Sequence, residues 1–138
     1  MNSYMEKVKN HLSHKEYLSI KDIFEMIILD NSLRYDGIAY RVLVFNNKPK
    51  VKYIDISNDK SFSKDLEGIS NFLKLKGLKS NKYIIIFKVV IAGLDLEKFI
   101  LKSMNLNKKL ASFEKEVIPF EFLNIEIFKE GYFSDLMK

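Results

Sequence analysis

The sequence contains no cysteine and no tryptophan, and only two prolines, five glycines and two histidines among 138 residues. Without cysteine the chain has neither a disulfide scaffold nor a thiolate nucleophile. Its longest apolar run, Tyr83–Leu94, is interrupted by Lys88 and Gly93, which is too short and too polar for a membrane span. The first 17 residues also lack the apolar core of a signal peptide. We therefore expect a cytoplasmic protein without a membrane segment.

The composition is that of an ordinary globular protein. Apolar residues make up 47% of the chain, and 18 residues are Phe or Tyr, which is enough for one hydrophobic core. The formal charge of +5 comes from 21 lysines and two arginines against 18 acids. This lysine excess is typical of an AT-rich genome, so the charge alone says little about a nucleic-acid partner. We expect a single domain over residues 1–138.

The first 36 residues have helical periodicity. Apolar side chains of a first helix recur on one face at Tyr4, Met5, Val8 and Leu12. Ser19 and Asp22 have the spacing of a capping box at the start of a second helix. The expected buried stripe of this second helix comprises Ile20, Ile23, Phe24, Ile27 and Ile28. The cluster Asp30-Asn31-Ser32 is expected to end it.

From residue 37 the pattern is predominantly that of β-strands. Strands are predicted at IAYRVLVF, VKYIDI, KYIIIFKVVIAG, FEKEVIPF and EFLNIEIF, with the third as a central strand. Two helices are predicted between them. SFSKDLEGISNFLKLKG would be capped by Ser61 or Ser63 and bury Leu66, Ile69, Phe72 and Leu73, and LDLEKFILKSM would form a shorter helix. The fold class is therefore α+β, with a helical part at 1–36 and a β core at 37–138.

Three features place polar groups where packing does not require them. Arg41 lies inside the apolar strand IAYRVLVF, where a permanently charged guanidinium needs an anionic partner. Ser61 and Ser63 mark a strand-to-helix junction. Glu114 and Glu116 open a late strand two residues apart, so a strand would direct both carboxylates to one face.

Each feature also has an ordinary structural explanation. The arginine could form an inter-strand ion pair or face water, the serines could cap the helix, and the glutamates could protect an exposed strand edge. In a cleft, however, two carboxylates would suit the cleavage of a glycosidic bond, in which positive charge develops on the sugar carbon.

The remaining polar residues favour surface positions. His11 and His14 are three residues apart on a helix, but no nearby acid cluster completes a metal site, so we expect both to be solvent-exposed and expect no bound metal. Lysines interleaved with aromatic residues occur at 48–53 and 74–83 and could contact nucleic acid. A solvated surface is the simpler interpretation.

Taken in order, the three features resemble a known enzyme family. An aromatic-Arg pair on a first strand (AYRVL), Ser-x-Ser before a helix (SFSKDLEGISNFL) and Glu-x-Glu at a late strand (FEKEVIPF) are similar to the motifs of the Arg-Ser-Glu class of mono-ADP-ribosyltransferases. The resemblance extends from about Tyr40 to Phe128. Two positions differ from the family pattern, since Val42 replaces a frequent glycine and Phe62 a frequent threonine.

The resemblance implies a fold and a cofactor. It implies N-terminal helices packed on two facing, mostly antiparallel sheets around a cleft that binds NAD as co-substrate. Arg41 would hold the phosphates or the nicotinamide ribose, and Tyr40 would belong to the same cofactor pocket. Ser61, together with Ser63, would form the pocket wall, and Ser61 would orient the catalytic carboxylate.

The resemblance also divides the chemistry between the two glutamates. Glu116 would stabilise the oxocarbenium-like ribose as nicotinamide leaves, and Glu114 would position or deprotonate the nucleophile. A glutamate at position 114 is similar to the arginine-modifying members. Phe113 and the loop 105–112 would face the target protein.

The resulting expectation is an NAD-dependent mono-ADP-ribosyltransferase that modifies an arginine of a protein. It could serve as a phage-encoded modifier, a toxin with a neutralising partner protein, or an effector. Two alternatives stay open: an NAD glycohydrolase or nucleic-acid ADP-ribosyltransferase, and a non-enzymatic basic binding module.

Overall fold

The computed structural model describes residues 2–13, 15–50, 62–76, 81–103 and 115–136. Within these ranges the order of elements is α1 (Asn2–Leu12), α2 (Ile20–Leu29), a 3₁₀ turn (Asn31–Leu33), β1 (Arg34–Phe45), β2 (Phe62–Ser63), α3 (Leu66–Lys76), β3 (Tyr83–Asp95), α4 (Leu96–Ser103), β4 (Glu116–Tyr132) and α5 (Phe133–Leu136). The α+β class is confirmed. The predicted strand VKYIDI and the loop 105–112 lie outside the described residues.

The four described strands form one antiparallel sheet that closes in the order β1-β2-β4-β3. This differs from the two facing sheets that the resemblance implies. The strand predicted at KYIIIFKVVIAG is β3, which pairs along its length with β1 on one side and with β4 on the other. β2 is only two residues long, yet it connects β1 to β4.

Helix α2 begins as predicted and buries only part of the predicted stripe. Ser19 Oγ accepts a hydrogen bond from the Asp22 N–H, and the Asp22 side chain accepts one from the Ser19 N–H, which completes the capping box. The buried residues are Ile23, Met26 and Ile27, whereas Ile20 and Ile28 of the predicted stripe are 60% and 81% exposed. The apolar residues of α2 span a wide arc of the helix surface, so different parts of this arc could pack against the core. Sequence periodicity alone does not specify which part is buried.

Helix α3 is capped by an aspartate. The Asp65 carboxylate accepts a hydrogen bond from the Gly68 N–H at 3.0 Å, immediately before the helix starts at Leu66. Ser63 belongs to β2, so the prediction that it caps the helix is wrong. Ile69 and Leu73 are buried as expected, while Leu66 is 37% exposed.

The two strands predicted at the end of the chain are one continuous strand, β4. Proline has no N–H to donate to a ladder, so Pro119 cannot take part in regular pairing as a donor. In the sheet, however, it lies opposite Gly93 beside a register shift in the pairing of β3 with β4. The irregular ladder therefore accommodates the proline without ending the strand.

Buried apolar residues lie on both faces of the sheet. On the face that the barrel encloses are Ala39, Phe62, Tyr83, Ile85, Phe87, Val89, Ile91 and Val117. On the opposite face, α3 packs on Val42, Ile84 and Ile86. Helices α1, α2 and α4 cover a further cluster that includes Leu94 and Ile118. The helices therefore pack outside the barrel, and the start of β4 lies beneath α1 and α2.

Gly93 is required by the close approach of β4. A Cβ added there would lie 2.8 Å from Pro119 Cα and closer still to the Ile118 carbonyl oxygen. We expect Gly93→Ala to lower the free energy of unfolding by about 1–3 kcal/mol, because backbone atoms would have to move. Urea denaturation measures this loss. Gly131→Ala is not a suitable control, since its φ of 157° adds backbone strain; Ser70→Ala on α3 is suitable. An unchanged midpoint for Gly93→Ala would contradict the packing.

A second prediction concerns the junction of α2 and α4. The Asp30 carboxylate accepts hydrogen bonds from Lys102 Nζ at 2.8 Å and from Ser32 Oγ at 2.6 Å. These bonds, that of Lys102 foremost, lower the pKa of Asp30 from its ordinary 3.8 to about 2. A lowered carboxyl pKa stabilises the folded state above the unfolded pKa, and this stability disappears as pH falls through the folded pKa.

We therefore expect Asp30→Asn to melt a few degrees below the wild type at pH 7, with the difference disappearing as pH falls from about 4 to about 2. Thermal unfolding followed by circular dichroism over this pH range tests it. A difference in melting temperature that stays constant with pH would show that the carboxylate charge is not involved.

Candidate functional site

The three strands that carry the sequence motifs are direct neighbours. Tyr40 on β1 is paired with Ser63 on β2, and Ser63 is paired with Glu116 on β4. Residues directly opposite one another in antiparallel strands project from the same face, with Cβ atoms about 4.5–5.5 Å apart. Tyr40, Ser63 and Glu116 therefore form one row across the sheet, on the face that packs against the helices.

Glu116 is held at the start of β4 by a histidine of α1. Its Oε2 lies 3.1 Å from His11 Nε2, and 19% of its side chain is exposed. His11 itself is 2% exposed, and its Nδ1 lies 3.3 Å from the Leu18 backbone nitrogen. The Tyr17 ring packs against the imidazole in a T-shaped arrangement, with centroids 5.3 Å apart. The carboxylate is thus fixed on one side and accessible on another.

The burial of His11 corrects the expectation of a solvent-exposed residue. The sequence did contain the signal, because His11 follows Tyr4 by seven residues and Val8 by three, and so lies on the same face of the helix as these two. Both are buried. A polar residue that continues an apolar stripe is a candidate for a buried hydrogen-bonded group. His14 lies outside the described residues.

Arg41 does not join the row. Successive side chains of a strand point to opposite faces, so Arg41 points away from the face that carries Tyr40. Ala39 and Leu43, two residues before and after it, pack in the cluster inside the barrel, and the partner of Arg41 on β3 is Phe87, which belongs to the same cluster. The guanidinium is therefore directed to the barrel interior, and its Nε is buried.

Ser61, Phe113 and Glu114 lie outside the described residues. Ser63 is described, is 7% exposed and is paired with Glu116. Of the predicted set, the structure therefore brings together Tyr40, Ser63 and Glu116.

The lysines on either side of this row are engaged by acids. Lys64 Nζ lies 2.8 Å from Asp95 and 2.7 Å from Glu97. Burial would lower the pKa of the Lys64 ammonium, but the hydrogen bonds that it donates to both carboxylates raise this pKa above its ordinary value. Lys115 Nζ lies 3.0 Å from Asp65 Oδ2. The hydrogen bond that Lys115 donates to this carboxylate raises the pKa of the lysine. Lys64 is thus tied to the end of β3 and the start of α4, and Lys115 to the start of α3, so both lysines are already engaged by acids.

Other kinds of site receive no support from the part of the chain that the structure describes. There, no group of three or more His, Asp or Glu residues could hold a metal ion. None of the helices within the described ranges is long and apolar enough to cross a membrane.

Comparison with known proteins identifies no relative. No known protein family, no curated protein and no solved structure matches the chain. The candidate site therefore rests on its own residues and on the resemblance of its motifs.

The Lys64 cluster yields a testable prediction. Lys64→Met keeps most of the side-chain volume but leaves Asp95, 5% exposed, beside Glu97 without the shared ammonium. We expect a loss of about 1–3 kcal/mol in the free energy of unfolding, since two carboxylates lose their common cation. Urea denaturation measures the loss, and a double-mutant cycle with Asp95→Asn isolates the interaction.

Lys88→Met is the matched control for this prediction. Lys88 lies 3.9 Å from Glu126, whose side chain is 57% exposed, and such surface pairs contribute about 0–1 kcal/mol. If the two lysine substitutions destabilised the protein equally, the Lys64 cluster would have no special structural role.

Proposed function

We propose that this chain is an NAD-dependent mono-ADP-ribosyltransferase that transfers ADP-ribose to an arginine of a protein. One observation carries the proposal: the strands with the arginine, serine and glutamate motifs are adjacent, and Ser63 is paired with Glu116 in register. The serine and glutamate motifs therefore meet on one face of the sheet, as a shared site requires, while the arginine motif contributes Tyr40 and not Arg41 to that face. Glu116 is also fixed and partly exposed, which suits a carboxylate that must act on a ligand.

In the proposed reaction the C–N bond between nicotinamide and ribose breaks, and its electron pair leaves with the nicotinamide nitrogen. Positive charge develops on the ribose carbon, where the Glu116 carboxylate would stabilise it. The guanidine nitrogen of the acceptor arginine then forms the new C–N bond, and its proton passes to Glu114. Water in place of the acceptor would give hydrolysis of NAD.

The proposal assigns Arg41 a role different from the one the motif implies. Because Arg41 faces the barrel interior with Ala39 and Leu43, it would stabilise the barrel, and the NAD phosphates would be bound by other residues. The negatively charged cofactor is still favoured in encounter by the formal charge of +5.

The inward direction of Arg41 also favours a second candidate, the non-enzymatic basic binding module. In that case the pair of His11 and Glu116 would serve stability alone. A binding module needs an accessible surface, and exposed apolar side chains occur on α2 at Ile20, Phe24 and Ile28 and on β4 at Leu123, Ile125 and Ile127.

Incubation with labelled NAD and a host lysate distinguishes the two candidates. For the enzyme, we expect Glu116→Gln to lower both nicotinamide release and protein labelling roughly 100- to 1,000-fold, because the charge that stabilises the transition state is lost. Glu114→Gln should lose transfer to arginine and keep part of the NAD hydrolysis. Separate assays with protein and DNA acceptors identify a glycohydrolase or a nucleic-acid transferase.

Arg41→Met tests whether Arg41 stabilises the barrel or binds the cofactor. With Arg41 in the barrel interior, we expect a lower melting temperature and an unchanged KM for NAD. An increase in KM at unchanged melting temperature would instead identify Arg41 as a cofactor-binding residue. Equal turnover by the wild type, Glu116→Gln and Glu114→Gln would contradict the proposed enzyme, and absence of NAD turnover in every protein would favour the binding module.

A further inference from the structure

The hydrogen bonds of His11 determine its protonation state. A backbone N–H can only donate, so the contact between the Leu18 nitrogen and His11 Nδ1 requires Nδ1 to be an unprotonated acceptor. In a neutral imidazole the proton then resides on Nε2, which lies 3.1 Å from Glu116 Oε2. The arrangement is therefore a donor chain from the Leu18 N–H through the imidazole to the carboxylate.

This chain connects two distant parts of the sequence. His11 and Glu116 are 105 positions apart, and Leu18 belongs to the connection between α1 and α2. Both nitrogens of His11 are within hydrogen-bonding distance of a partner, and the residue is only 2% exposed, so an unmatched polar atom there would destabilise the fold. Burial and the packed Tyr17 ring leave the imidazole little freedom to turn. The direction of the Nε2–H is thus fixed by the fold.

On this basis we propose that His11 is the positioning residue of the Glu116 carboxylate: as the neutral Nε2–H tautomer it orients the carboxylate, and α1 is thereby part of the active site. The inference rests on the proposed function for its catalytic consequence. His11 contacts the carboxylate at Oε2 and so fixes the orientation of the Glu116 side chain. His11 itself exchanges no proton with the substrate.

The experiment uses two substitutions and one control in the full chain. His11→Phe retains a ring but cannot donate, whereas the amide of His11→Gln can donate to Glu116. Lys7→Met disrupts a different contact of α1, the 2.7 Å ion pair of Lys7 with Asp22, and tests whether loosening α1 is sufficient to reduce turnover.

We expect His11→Phe to lower kcat for nicotinamide release at least tenfold with an unchanged KM for NAD. His11→Gln should recover a substantial part of kcat, and Lys7→Met should lower the melting temperature with kcat unchanged. A His11→Phe protein with wild-type kcat, or a Lys7→Met protein with an equal loss of kcat, would overturn the proposal.

Nuclear magnetic resonance tests the same inference without turnover. Imidazole ¹⁵N spectra of the wild type should show His11 with a protonated Nε2 and an unprotonated Nδ1, and the ¹³C resonance of the Glu116 carboxyl should move in His11→Phe but not in Lys7→Met. The opposite tautomer, an imidazolium, or an unmoved Glu116 resonance would overturn the positioning role. Absence of NAD turnover in the wild type, with these spectra as expected, would refute the proposed enzyme and leave the contact between His11 and Glu116 established.

Discussion

The pairing of β3 with β1 and β4 is the constraint on which the rest of the structure depends. β3 is a nearly continuous apolar strand, and most of its side chains are buried on both faces. A strand of this kind is stable only when both of its faces are covered. β1 and β4 pair along its two edges, while the helices cover one face and the barrel encloses the other. These pairings hold β1 and β4 in the closed sheet, in which β2 connects them and sets the row of candidate site residues.

Register also decides which polar groups can cooperate. β2 contributes only two residues to the sheet, but they bring β1 and β4 together so that Tyr40, Ser63 and Glu116 fall in one row. Because side chains alternate along a strand, a difference of one position separates the two faces completely. Tyr40 and Arg41 are adjacent in the motif AYRVL, yet they belong to opposite sides of the sheet.

Local signals in the sequence predicted local structure well. The capping box of Ser19 and Asp22, the strand β3 and the helix at Leu96–Ser103 all follow from patterns within a few residues. Features that depend on distant partners were missed. β4 continues through Pro119 because Gly93 lies opposite it, and the buried edge of α2 is chosen by its docking partners, neither of which periodicity can specify.

The candidate site shows the same limit. Glu116 was predicted from its motif, but its partner His11 is 105 positions away, and only the apolar stripe of α1 indicated that a residue at position 11 would be buried. The inward direction of Arg41 depends on which β1 residues face the barrel interior when β1 pairs with β3. A short motif does not contain this information.

The pairing of β1 with β3 also limits which β1 side chains could contribute to a site beside Glu116. Moving Arg41 to the face of Glu116 by shifting β1 one residue would turn Ala39 outward and Val42 inward, together with every other β1 side chain. Ala39 is 0% exposed and Val42 is 5% exposed, in clusters on opposite faces of the sheet, so the shift would disrupt both clusters at once. The arginine is therefore held in the barrel by the same apolar contacts that stabilise β1. A cofactor bound beside Glu116 must obtain its phosphate contacts from other residues, and Lys64 and Lys115 are already committed to neighbouring acids.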